Sequence, residues 1–140
     1  MAGTDPATRH LIPLKVGKPA GREGDEMLNY ALLSFVVAAV GGLVLAASVL
    51  RGRLAPWALS LVHAALGALG LVLTIVAVLQ GAPEAVTIGL VILVVAALGG
   101  FFLASFHLRK VPGPKPVVVI HAAAAVVGVL ILANAALHIV

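Results

Sequence analysis

Residues 54–79 read LAPWALSLVHAALGALGLVLTIVAVL, 26 positions without one Lys, Arg, Asp or Glu. As a helix this run is about 39 Å long at 1.5 Å per residue, more than the ~30 Å of a bilayer's hydrocarbon core. Three further uncharged runs flank it, at 31–50, 85–106 and 117–140. The charged residues are confined to 1–27, 51–53, 84 and 109–115 and make up only 10% of the chain; a soluble domain carries about 25%. The fold expected is an all-α membrane protein, an antiparallel bundle of four transmembrane helices at about 28–50, 54–80, 84–107 and 116–140. A polar, largely flexible tail, 1–27, precedes it, and no internal repeat is expected.

The pattern excludes several classes. Spanning strands would alternate over roughly ten residues, whereas these runs are continuously apolar. The first run starts too late, behind Glu23, Asp25 and Glu26, for a secretory signal. The absence of cysteine removes thiol–disulfide chemistry and iron–sulfur clusters. The net charge of +4 sits in short loops and offers no nucleic-acid face. With no carboxylate in any run, proton-coupled export through a buried glutamate and carboxylate-bridged di-iron chemistry both fail. Ser60 and His63 share one helix, so a serine-protease pair on facing helices is missing too.

The loops carry the topology signal. Arg51 and Arg53 in the first loop and Arg109, Lys110 and Lys115 in the third outnumber Lys15, Lys18 and Arg22 on the opposite side. Because cytoplasmic loops are the basic ones, loops one and three are expected in the cytoplasm of a cell inner (plasma) membrane, with both termini outside. Trp57 and Tyr30 fall near span ends, where amphipathic rings are favoured. Pro56 and Pro83 suit a helix's first turn. Pro112, Pro114 and Pro116 should stiffen the third loop.

In lipid, small and polar side chains mark the interior, because they permit close backbone approach. Each run has one such stripe at helical spacing: Ser34, Ala38, Gly41 or Gly42 and Ser48; Ser60, His63, Gly67, Gly70 and Thr74; Gly89, Ala96, Gly100, Ala104 and His107; His121, Ala125 and Gly128. Most such glycines serve packing alone. His63 and His121 are more informative. They lie about 14 Å and 9 Å into helices that run the same way, and an ionisable side chain at that depth points to function.

Two imidazoles at comparable depth on different helices suit bis-histidine ligation of one haem iron. His63 and His121 would be the ligands, Gly67, Gly70 and Gly128 would leave room for the macrocycle edge, and Arg109 and Lys110 would face the propionates. His107, at the rim, is an interfacial residue or an alternative ligand. A tetrahedral zinc site would need further ligands, and only His107 is near. His138 lies on another face and lacks a second ligand; His10 is uninformative. The plain structural reading has His63 bonding Ser60 or a backbone carbonyl, and His121 a neighbouring helix.

The placement of His63 and His121 resembles the small four-helix transmembrane b-type cytochromes, in architecture and without a diagnostic motif. That resemblance implies haem b as cofactor, electron transfer as the role, and quinol or a larger membrane redox complex as partner. The alternative is a non-catalytic accessory or assembly subunit. Either way a stand-alone enzyme is not expected.

Overall fold

The computed structural model describes residues 20–138. It contains four helices, α1 (Ala20–Leu50), α2 (Trp57–Leu79), α3 (Glu84–Leu108) and α4 (Lys115–His138). Each is long and apolar enough to cross a membrane. Short connections turn each helix back on its predecessor, so the four run antiparallel. Backbones approach one another for the pairs α1–α2, α3–α4, α1–α4 and α2–α3. α2 therefore lies diagonally across the bundle from α4, and α1 from α3.

α1 begins at Ala20, inside the stretch expected to be a flexible tail. Glu23 in its first turn complements the positive end of the helix dipole. Buried Gly24 lies close enough to the end of α2 that an added Cβ would come within 3.6 Å of the Ala77 carbonyl oxygen. The polar turns thus dock on α2 and extend the helix beyond the apolar run. The rest of the expected tail, including His10, lies outside the described residues. α2 begins three residues later than expected. Pro56 is its N-cap, at ψ 126°, and Ala55 before it is disfavoured in helical geometry. Pro83 likewise caps α3, at ψ 152°, whereas Pro116 sits inside the first turn of α4, where a missing N–H is harmless.

All three helix exits close in the same way. Gly52, Lys110 and Gly81 adopt left-handed φ values of 71°, 59° and 88°. The next residue's N–H then returns to a carbonyl five positions back: Arg53 to Ser48, Val111 to Phe106, Ala82 to Ala77. These are Schellman closures.

The buried apolar cluster occupies the end of the bundle near the second loop. It contains Leu28, Ala31, Phe35, Ala77, Val86, Leu93, Leu132 and Ala135. Toward loops one and three the inward stripes are mostly half-exposed, so the bundle is plugged at one end and looser at the other. Large aliphatic side chains such as Leu43, Val72, Leu98 and Leu130 cover its outside.

The structure also corrects the expectation that the chain has no internal repeat. Ala38 and His63 in the first hairpin correspond to Ala96 and His121 in the second, a step of 58 residues in each case. The same step takes Phe35 and Gly70 to Leu93 and Gly128, and left-handed Gly52 to left-handed Lys110. In sequence it aligns VVAAVGG (36–42) with VVAALGG (94–100) and His63-Ala-Ala with His121-Ala-Ala. The bundle is two copies of one helical hairpin.

Candidate functional site

Each hairpin holds its histidine in the same way. His63 on α2 places Nδ1 2.8 Å from the carbonyl oxygen of Ala38 on α1. His121 on α4 places Nδ1 2.7 Å from the carbonyl oxygen of Ala96 on α3. A carbonyl only accepts, so in both rings Nδ1 carries the hydrogen and donates. Nε2 of the neutral ring then presents a lone pair, and neither Nε2 makes a hydrogen bond among the described residues.

A glycine one turn after each acceptor makes this reach possible. A Cβ on Gly42 would lie 3.0 Å from Cε1 of His63, and one on Gly100 would lie 3.2 Å from Cε1 of His121. Gly41 and Gly99 lie beside the Cβ atoms of the same two histidines. The sequence stripes include Gly41 or Gly42 and Gly100 but do not tie these glycines to the rings. The signal was there, as two Ala-Ala-x-Gly-Gly segments 58 positions apart.

The two half-buried rings meet across the bundle axis, with centroids 6.2 Å apart and planes at 77°. Two imidazoles each about 2 Å from a shared metal have ring centres about 6 Å apart when they approach it from opposite sides and about 5 Å apart at a tetrahedral angle. A ligating histidine generally donates its other ring N–H to a carbonyl or carboxylate, which fixes tautomer and orientation. Both features are present. Among the described residues no group of three or more His, Asp or Glu side chains is placed to hold a metal, so His63 and His121 stand as a pair without a third such side chain beside them.

The remaining expected site residues separate into different places. The room foreseen at Gly70 is filled by the Phe35 ring, 2.7 Å from where a Cβ would stand, and that at Gly128 by Leu93, at 2.6 Å. These two glycines admit side chains of their own hairpins, directly against the plug. Gly67 has nothing within 4 Å of an added Cβ and remains open. His107 stacks on Trp57 at the rim, centroids 4.7 Å apart. Arg109 lies over the Phe106 ring at 5.2 Å, and Lys110 is exposed. The side chain of His138 lies outside the described residues. Ser60 bonds the Pro56 carbonyl in its own helix, not His63.

Comparison with protein-family models, with curated proteins and with solved structures finds no match.

Proposed function

We propose that the chain is an integral membrane protein that binds one haem through His63 and His121 and carries electrons. Loops one and three would face the cytoplasm across the inner (plasma) membrane. The observation that supports it is the pair of rings 6.2 Å apart, each with Nδ1–H held by a carbonyl. Bound haem would supply one-electron exchange at its iron. The chain's own residues do the rest. The Ala38 and Ala96 carbonyls orient the imidazoles, and Gly42 and Gly100 let them approach. The apolar plug excludes water from one side. The macrocycle would extend into the looser half toward loops one and three, with open Gly67 one turn beyond His63 on the other side, and Arg109 and Lys110 would be the cations for its carboxylates.

Absorption spectroscopy of the purified protein tests this. A Soret band that sharpens on dithionite reduction is expected. H63A and H121A should each abolish the low-spin spectrum, and H138A should leave it intact. Three variants with identical spectra would refute the pairing.

One observation favours the accessory-subunit reading instead. Each ring already has a structural hydrogen bond across its hairpin, and the slots at Gly70 and Gly128 are occupied. A colourless protein after expression with ample haem, with no iron on elemental analysis, would decide for that reading.

A further inference from the structure

The 58-residue step that relates the hairpins is broken at several positions, among them buried Ser34 and Thr74, which fall on Ile92 and Leu132, and it is broken in a cluster at the rim of the loop-one and loop-three end. Trp57 corresponds to Lys115, His107 to Val49 and Lys110 to Gly52. The first member of each pair comes together at the α2–α3 edge. A pocket of about 330 Å³ is lined there by Leu54, Trp57, His107, Leu108 and Lys110. By the same step the opposite edge would carry Pro112, Lys115, Val49, Leu50 and Gly52, so the aromatic–histidine–lysine set occurs at one edge only. Lys110 also holds a left-handed φ of 59°, where its counterpart is glycine. A side chain that costs about 1 kcal/mol of backbone strain at such a position invites a reason for its presence.

Charge identifies the occupant. Arg51, Arg53, Arg109, Lys110 and Lys115 all lie at this end, whereas the other holds Glu23, Asp25, Glu26 and Glu84 against Arg22 among the described residues. The pocket combines apolar walls in exposed Leu54 and Leu108, a ring N–H donor in His107 and an exposed ammonium in Lys110. At a membrane rim that set matches a group with an anionic oxygen cluster next to hydrocarbon. We infer that the α2–α3 rim pocket binds the phosphate of an anionic phospholipid, with Lys110 as the cation and Leu54 and Leu108 against the lipid's chains. The inference rests on the membrane insertion proposed above; it needs no bound haem, and it gives Lys110 to the lipid phosphate, leaving Arg109 for the carboxylates of the proposed haem.

Trp57 is the chain's single tryptophan, so its fluorescence reports this pocket alone. The full-length protein is reconstituted in phosphatidylcholine vesicles carrying either brominated phosphatidylglycerol or brominated phosphatidylcholine at equal mole fraction. Quenching by the anionic lipid should indicate an about fivefold preference, the size expected of one lysine near an anionic surface. K110Q should reduce the preference to near unity and K110R should keep it. K110G should also lose it while raising the unfolding midpoint, because glycine relieves the strained cap; a purely structural lysine would not dissociate the two readouts. R53Q removes one charge from the same end without touching the pocket and should leave the preference in place. Equal quenching by the two lipids overturns the site, as does equal loss in R53Q and K110Q. Displacement of the anionic lipid by millimolar inorganic phosphate would make it a free-phosphate site and overturns the lipid assignment. Failure of the protein to float with vesicles would overturn membrane insertion itself, whereas flotation without lipid preference would overturn the pocket alone.

Discussion

Glycines that look alike in the sequence have different consequences once their neighbours are known. Gly67 and Gly70 lie within one turn of α2, yet a Cβ at 67 meets open space while one at 70 meets three Phe35 ring atoms at 2.7–2.9 Å. G67A should therefore be neutral or stabilise by up to about 1 kcal/mol through helix propensity. G70A should destabilise by about 1–3 kcal/mol, because a planar ring packed in a plug yields little. Detergent-unfolding midpoints of the two variants give the comparison, and F35A should remove most of the penalty in the double mutant. At the histidines the apo protein should lose little. A neutral hydrogen bond is worth about 1 kcal/mol net, so H63A and H121A should each shift apo stability by about that much. Abolished spectra in variants that remain folded would then report ligand loss, and unfolding would not explain them.

At the scale of elements, the helices end where the backbone demands it and not where hydropathy falls. Schellman closures at Gly52, Gly81 and Lys110 and proline caps at 56 and 83 set the boundaries. The connections are so short that consecutive helices must be antiparallel, which puts loops one and three at one end and loop two at the other. The chain contains no cysteine, so single-cysteine reporters are clean. R53C and V111C should react with a membrane-impermeant maleimide from the same side, the cytoplasmic one under the orientation proposed above, and A82C only from the opposite side. Labelling of R53C and V111C from opposite sides would contradict the four-helix topology.

For the whole molecule, the duplicated hairpin predicts matched behaviour at matched positions. G42A and G100A press on Cε1 of His63 and His121 from 3.0 and 3.2 Å. They should perturb the proposed haem spectrum in the same direction and by similar amounts. A spectrum sensitive to only one of them would show that the two halves are not functionally equivalent. The halves do differ at the rim, where His107 and Trp57 stack and no counterpart pair exists. The proposed centre between the two hairpins and the unshared pocket at one edge make different demands on a duplicated chain. Residues on the axis must serve both halves at once, whereas the edges are free to diverge.

Helix number and order follow from the uncharged runs of 20 or more residues, because length and solvation alone govern them. The sequence also indicates the inward stripes: Ser34, Ala38, Gly70, Thr74, Gly89, Ala96 and Gly128 are all buried, small side chains being what close helix packing requires. The duplication was legible too, in VVAAVGG and VVAALGG, but a chain so rich in Ala, Val and Leu produces chance resemblances that hide a true register. Which glycine serves which neighbour, that Ala38 and Ala96 offer carbonyls to the rings, and that the rings of diagonal helices meet emerge only from the packed bundle. Those facts depend on helix rotation and crossing. One apolar run constrains neither, since a stripe names the face that turns inward but not the side chain it will meet there.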